Sequence, residues 1–108
     1  MLDRGWSMNR FVQLVSTAPA KLMGLFPRKG TIAVGSDADI VIWDPKRPYT
    51  ISARTHYMRV DYNPYEGMII PGSPAYVFSR GRMVFEGDRF VGKAGDGQFV
   101  KRSQYTLP

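Results

Sequence analysis

Residues 30–45 read GTIAVGSDADIVIWDP, and the rest of the chain is interpreted around them. Apolar and small side chains alternate over residues 31–34, which predicts a short strand. Gly35, Asp37 and Asp39 are expected to form a structural turn, because glycine tolerates positive φ and aspartate bonds nearby backbone N–H groups. The apolar run IVIW at residues 40–43 predicts a strand covered on both faces. We expect the other strands to assemble around it.

Composition sets broad limits on the chain. Its 108 residues allow one domain with a modest core. The absence of cysteine excludes disulfides and thiolate metal sites. The net charge of +6 comes from scattered basic residues, which favours a solvated surface over an anionic partner. We find no apolar run long enough to span a bilayer and no signal-peptide pattern after Met1, so we expect a cytoplasmic protein without membrane contact.

Two short helices are predicted before residue 30. Ser7 can cap a helix that begins at Met8. The sequence TAP at residues 17–19 interrupts it, so Thr17 or Ala18 is expected to cap a second helix that ends at Pro27. A small sheet cannot cover the apolar faces of both helices, so we expect a missing partner surface. These faces carry Phe11, Leu14, Leu22 and Phe26.

Short strands dominate the remainder of the chain. Residues 49–51 are a strand candidate, and residues 52–74 are expected to form one long loop with several prolines and glycines. Strands at 76–78, 83–85 and 89–91 with tight turns between them predict antiparallel hairpins. The tail lacks periodicity, although Phe99, Tyr105 and Leu107 suggest that it docks. The predicted class is α+β and mainly β.

The residues with reactive side chains do not form a recognisable active site. His56 is the only histidine, whereas a hydrolytic zinc site takes several histidine or carboxylate ligands, so we expect it not to bind metal. Asp37 and Asp39 could hold Mg²⁺ or act in acid–base chemistry, but capping of the turn is favoured. We find no serine elbow and no phosphate loop. The sequence therefore predicts no catalytic, cofactor-binding or metal-binding residue.

Several motifs resemble those of a known enzyme family. The strings STAPAKL (16–22), PRKG (27–30) and GSDAD (35–39) are similar to the stretch that follows the barrel in cyclic amidohydrolases. The string VDYNPYEG (60–67), followed by FVGK (90–93) and KR (101–102), resembles D-hydantoinases and dihydropyrimidinases more specifically. The resemblance extends over nearly the whole chain, from Met8 to Tyr105.

The resemblance implies a metal-dependent hydrolase that opens hydantoin or dihydropyrimidine rings. In the family a binuclear zinc centre, bridged by a carboxylated lysine, sits on a (β/α)8 barrel. No ligand of that centre has a matching position here, so the chain is expected to lack the barrel and to be catalytically silent alone. Residues 1–29 would close the barrel, residues 30–92 would form part of a small β-sandwich, and residues 93–108 would be a tail.

The resemblance also implies partners. The chain would support the missing barrel portion and a homo-oligomer, either a dimer or a tetramer. Possible subunit contacts are Tyr62, Asn63, Pro64, Tyr65 and Gly67. Two alternatives stay open: a non-enzymatic structural oligomer of the collapsin-response-mediator type, and a small basic domain that binds single-stranded nucleic acid. The second is supported by the net charge and the aromatic residues, but scattered basic residues make nucleic acid the less expected partner.

Overall fold

The structure, a computed structural model, describes residues 5–105 and begins with a helical segment. Helix α1 covers Met8–Val12, a π-helical turn covers Gln13–Thr17, and helix α2 covers Ala18–Leu22. The Ser7 side chain accepts a hydrogen bond from the Arg10 backbone N–H at 3.2 Å, which confirms the predicted cap. Helix α2 ends at Leu22 and not at Pro27 as predicted, because Gly24 just beyond it adopts the left-handed region, at φ +66°, as a C-terminal glycine does.

The joint between the two α-helices differs from the prediction. The helical path is not interrupted at residues 17–19 but continues through the π-helical turn, in which the Ala18 N–H bonds to the Gln13 carbonyl. Proline has no N–H, so Pro19 cannot satisfy the carbonyl four residues earlier, and a wider turn accommodates that loss. Thr17 does not cap α2. Its hydroxyl instead donates to the Gly30 carbonyl at 2.8 Å and ties the helices to the following loop.

Six strands form two antiparallel sheets. A four-stranded sheet has the order β1-β4-β5-β6, and β2 pairs with β3 in a two-stranded sheet. The predicted hairpins are confirmed, and Arg80 and Gly81 make the tight β4–β5 turn with φ of 49° and 77°. The described residues combine short helices with six antiparallel strands and contain no barrel, which confirms the α+β, mainly β class. The strands are β1 Ile40–Asp44, β2 Tyr49–Thr50, β3 Ile69–Ile70, β4 Ser73–Ser79, β5 Arg82–Glu86 and β6 Arg89–Phe90.

Three strand predictions are corrected. Residues 31–34 form turns and irregular structure, with Val34 fully exposed. Strand β1 lies at an edge of its sheet and β4 is central, so β1 is neither covered on both faces nor the centre of assembly. An apolar run predicts that a strand is buried, but it does not specify whether residues of the same chain or of another chain or domain bury it. Finally, the predicted loop 52–74 contains β3 and the start of β4.

Candidate functional site

The described part of the chain has almost no core of its own. Within residues 5–105, Ala20 is the one buried hydrophobic residue. The accessible surface is 8825 Å², whereas a compact monomer of this mass exposes about 6,100 Å². The radius of gyration is 15.6 Å, against about 13 Å for a compact domain of this length. The excess surface is as large as one side of a large permanent interface.

Several exposed apolar side chains lie on β1 and on the helical segment. Val41, Ile42 and Trp43, here called the β1 surface, are 57%, 48% and 48% exposed. On the helical segment, Val15 and Leu22 are more than half exposed. Large exposed apolar patches are typical of surfaces that another chain or domain covers. No helix in residues 5–105 is both long and apolar enough to cross a bilayer.

A lysine held by two aspartates joins the helical segment to the four-stranded sheet. Lys29 Nζ lies 2.9 Å from Asp37 Oδ2 and also binds the Asp39 carboxylate. Arg28 Nε adds a second contact to Asp37 at 3.0 Å. Asp39 Oδ1 accepts the backbone N–H of Arg80 at 2.8 Å, so the cluster also fixes the β4–β5 turn. Both carboxylates therefore face cationic or N–H donors, which is the arrangement of a structural brace.

The pKa values within this brace move in the directions that its contacts dictate. The hydrogen bond from Lys29 lowers the pKa of Asp37, with help from Arg28. Burial opposes the shift at Asp39, but bonds from Lys29 and from the Arg80 backbone outweigh it, and the pKa of Asp39 is lowered. Burial likewise opposes the rise at Lys29, yet its two carboxylate partners raise the pKa of Lys29 above the ordinary value. The charged forms of all three groups are thus favoured.

Gly35, the third predicted turn residue, adopts φ +89° beside this brace. Glycine adopts this conformation without strain, whereas residues with a side chain do not. Ser36 Oγ donates to the Pro27 carbonyl at 2.8 Å, and the Asp37 N–H donates to the Arg28 carbonyl at 2.9 Å. The turn therefore folds back onto residues 27–28. Whether it serves only as a structural turn stays a prediction.

The possible subunit-contact residues lie in the exposed loop before β3. Tyr62 and Tyr65 are 66% and 60% exposed, and Pro64 is exposed between them. Asn63 Oδ1 accepts the Tyr65 N–H at 2.9 Å, and the Gly67 N–H bonds to the Ile51 carbonyl. The loop is therefore ordered by its own hydrogen bonds while its tyrosine rings face solvent. Contact with another subunit stays a prediction.

Glu66 closes the base of that loop. Its carboxylate accepts the Ala53 N–H at 2.6 Å and the Ser52 hydroxyl at 2.8 Å. The hydrogen bond from Ala53, followed by that from Ser52, lowers the pKa of Glu66. Tyr57 fastens the same loop to the β5–β6 hairpin: its hydroxyl donates to the Asp88 carbonyl and accepts the Phe90 N–H, each at 3.1 Å.

His56 sits in this loop, and its surroundings do not suit a metal ion. Its Nε2 lies 3.0 Å from the Val60 carbonyl, and its Nδ1 is buried without a hydrogen-bond partner. Within residues 5–105, no three His, Asp or Glu side chains are close enough to share a metal ion. The donor set therefore does not fit the zinc centre that the resemblance implies.

Several contacts were not foreseen from sequence. Lys29 is separated from Asp39 by ten positions of irregular chain, although adjacent basic residues before a Gly-Ser-Asp turn could have suggested the pair. The tail docks through Ser103, whose N–H and hydroxyl both donate to the Gly24 carbonyl at 2.8 and 3.0 Å. Of the tail residues expected to dock, Phe99 and Tyr105 are exposed instead. Leu107 lies outside the described residues.

Comparison with known proteins defines the class. The sequence profile of the amidohydrolase family matches residues 1–84, and the chain belongs to that family. Over 99 residues it is 59% identical to the D-hydantoinase of Geobacillus stearothermophilus, covering 92% of this chain and 21% of that protein. Over 98 residues it is 53% identical to the dihydropyrimidinase of Rattus norvegicus, covering 91% of this chain and 19% of that protein.

Solved structures of hydantoinases are also similar to this chain in fold. The crystal structure of the D-hydantoinase from Bacillus sp. AR9 superposes with a TM-score of 0.92 at 53% identity. The superposition covers 100% of this chain and 24% of that protein. The expected likeness to hydantoinases and dihydropyrimidinases is confirmed. The chain spans about a fifth of the length of the curated relatives it matches.

Proposed function

We propose that this chain is the C-terminal, β-rich scaffold of a cyclic amidohydrolase that opens hydantoin or dihydropyrimidine rings. The observation that carries the proposal is the likeness to hydantoinases over nearly the whole chain, combined with a surface far larger than a compact monomer needs. In this proposal the helical segment and the β1 surface pack against a barrel and against further sandwich strands. The chain alone does not turn over substrate.

The finer parts of the proposal follow the sequence prediction. Residues 1–29 close the barrel, residues 30–92 contribute to the sandwich, and residues 93–108 form the tail. The loop around Tyr62 and Tyr65 contacts a second subunit of a dimer or tetramer in the cytoplasm. The resemblance to the family implies that the zinc centre belongs to the barrel of the parent enzyme.

A graft tests the proposal directly. The matched 99 residues of the Geobacillus D-hydantoinase would be replaced by the corresponding residues of this chain. The graft should hydrolyse hydantoin with a kcat/KM within about tenfold of the unaltered enzyme, because a scaffold exchange should change the barrier by no more than about 1.4 kcal/mol. A soluble, folded graft without activity would contradict the scaffold role.

The isolated chain supplies the complementary measurement. With added zinc it should show no hydrolysis of hydantoin or dihydrouracil above the uncatalysed rate. Turnover by the chain alone, removed by a chelator, would overturn the assignment of catalysis to the barrel. A point-mutated graft that lacks one barrel histidine serves as the inactive reference.

A nucleic-acid-binding role receives less support from the structure. Five basic side chains in the described part already contact carboxylates, so part of the positive charge is compensated locally. A protein that neutralises several phosphates would show a steep loss of affinity with salt. We expect no binding of single-stranded oligonucleotides at ~50 mM salt. The paired residues are Arg28, Lys29, Arg47, Arg82 and Arg89.

A further inference from the structure

A cavity of about 320 Å³ lies between strand β5 and the segment that follows β6. This volume lies at the lower end of the range of about 300–1,000 Å³ that is typical of pockets for small molecules. Its lining is unusually basic: among the described residues that form it, four are basic and Asp96 is the one acidic residue. The basic residues are Lys29, Arg80, Arg82 and Lys93.

Two of these four cations have no carboxylate partner in the described part. Lys29 is bound by the aspartates of the brace, and Arg82 Nη1 lies 3.0 Å from Asp96 Oδ1. Within residues 5–105, no carboxylate is within ion-pair distance of the Arg80 guanidinium or the Lys93 ammonium. The cavity therefore carries positive charge that the described residues do not neutralise.

Asp96 supplies oxygen atoms to both guanidinium groups of this cavity. Its carboxylate binds the Arg82 guanidinium, and its backbone carbonyl accepts a hydrogen bond from the Arg80 guanidinium. The residue lies between Gly95 and Gly97, and a side chain added at either glycine would meet nothing within 4 Å. The two guanidinium groups thus both bind oxygen atoms of Asp96. The chain on either side of Asp96 is not closely packed.

We propose that this cavity binds a small oxyanion, a carboxylate or a phosphate group, through Arg80, Arg82 and Lys93, and that Asp96 competes for the same site. Guanidinium groups match both oxyanions in geometry and bind them by charge-assisted hydrogen bonds. An incoming oxyanion replaces the Asp96 carboxylate at Arg82. It also places negative charge beside Lys93, which the internal contact does not do.

Titration of the 108-residue chain with inorganic phosphate and, separately, with acetate tests the site. The amide NMR signals of Gly95 and Gly97 should shift and saturate, since Asp96 between them is displaced. Saturation by phosphate alone identifies a phosphoryl ligand, and saturation by acetate identifies a carboxylate ligand. Constant ionic strength keeps general screening fixed. The absence of saturable shifts with both anions overturns the proposal.

Variants separate this site from general surface charge. Asp96→Asn removes the competitor and should tighten binding about tenfold, the factor expected for one hydrogen bond to a charged group. Arg82→Gln and Lys93→Gln should weaken it by a similar factor. Arg59→Gln changes the net charge equally but lies outside the cavity lining, so affinity should be retained.

The competing outcomes are equally definite. A loss of affinity in Arg59→Gln as large as in Lys93→Gln would show general charge attraction and overturn the site. Unchanged or weaker binding in Asp96→Asn would overturn the competition. If Arg82→Gln alters the far-ultraviolet circular dichroism, Lys93→Gln carries the test, because the Lys93 side chain makes no hydrogen bond to the described residues.

Discussion

At the scale of single residues, Lys29 contacts two aspartate carboxylates with one ammonium group. One ammonium holds the carboxylates of Asp37 and Asp39, and Asp39 in turn holds the Arg80 N–H. Removing Lys29 would leave Asp37 with Arg28 as its cation and would leave the neighbouring Asp39 carboxylate without one. The consequence should be visible in the pH dependence of folding, because protonation changes couple to stability wherever a pKa differs between the folded and unfolded states.

For Lys29→Gln we predict a weaker dependence of stability on acid. The pKa values of Asp37 and Asp39 lie below the ordinary 3.8 in the folded chain. Their contribution is therefore complete above pH 3.8 and is lost as the pH falls through the lowered values. Urea unfolding between pH 5 and pH 2 should show a shallower acid loss in the variant, in a window set by those carboxylate pKa values.

The same residue predicts an effect at high pH. Because the pKa of Lys29 is raised above 10.5, its contribution is full below that pH and is lost as the pH rises through the raised value. The control is Lys46→Gln, an exposed lysine outside the recorded ion pairs of the described chain. Identical acid profiles for the two variants would show that the brace does not act as described.

Tyr57 allows a second test at the scale of one residue, in which only a hydroxyl group is removed. Its hydroxyl both donates to the Asp88 carbonyl and accepts the Phe90 N–H. Tyr57→Phe should cost about 1 kcal/mol, because two hydrogen bonds at a largely exposed site are lost. The Phe90 amide should then exchange faster with solvent. Tyr62→Phe is the matched control, since Tyr62 is similarly exposed; equal effects in both variants would contradict a specific role for Tyr57.

At the scale of elements, the tail depends on a position where no side chain fits. Gly24 has φ +66°, and a Cβ there would lie 2.0 Å from the Ser103 carbonyl oxygen. Gly24→Ala therefore adds a steric clash to the left-handed strain of about 1–2 kcal/mol. We expect the tail to leave its site and trypsin cleavage after Lys101 and Arg102 to accelerate at least about tenfold, the factor that corresponds to ~1.4 kcal/mol.

Gly67→Ala separates strain from clash. Its φ of +79° imposes similar strain, but an added Cβ would meet nothing within 4 Å. This variant should lower stability without accelerating cleavage in the tail. Faster tail cleavage in Gly67→Ala as well would mean that general destabilisation, and not the contact between Gly24 and Ser103, governs the result.

Elements that depend on near neighbours were predictable from sequence. The Ser7 cap and the Arg80-Gly81 hairpin are each fixed by residues a few positions apart. The edge position of β1 was not predictable, because its partner β4 is about thirty residues away and its apolar run carries no information about what covers it. The π-helical turn was missed because Pro19 is compatible with either a new helix or a widened turn.

The candidate sites divide in the same way. The Gly-Ser-Asp turn was predicted from residue types, but the contact of Lys29 with its carboxylates was not, since Lys29 meets Asp39 only after the intervening loop folds back. The contact of Arg82 with Asp96 likewise joins a residue of β5 to one in the segment after β6. Local turn chemistry can be derived from residue types, whereas pairing across loops depends on backbone geometry that the pattern does not specify.

At the scale of the whole molecule, the surface area determines what the fold requires. A chain of 12.2 kDa that exposes 8825 Å² leaves the apolar strand β1 largely uncovered. Exposed edge strands are also templates for association. If the scaffold proposal is correct, the β1 surface is solvent-exposed in the isolated chain and covered in the grafted hydantoinase. One substitution should therefore have different effects in the two settings.

Val41→Thr makes that comparison with almost no change of shape. Val41 is 57% exposed, so the added hydroxyl can be hydrated in the isolated chain, and stability should change by less than about 0.5 kcal/mol. In the graft the same hydroxyl would be buried without a partner and should cost about 1–3 kcal/mol. Val34→Thr, at a fully exposed turn position, should be neutral in both. Thermal unfolding of the four variants and of the unaltered chain and graft measures this difference, and equal effects of Val41→Thr in chain and graft would show that nothing covers β1.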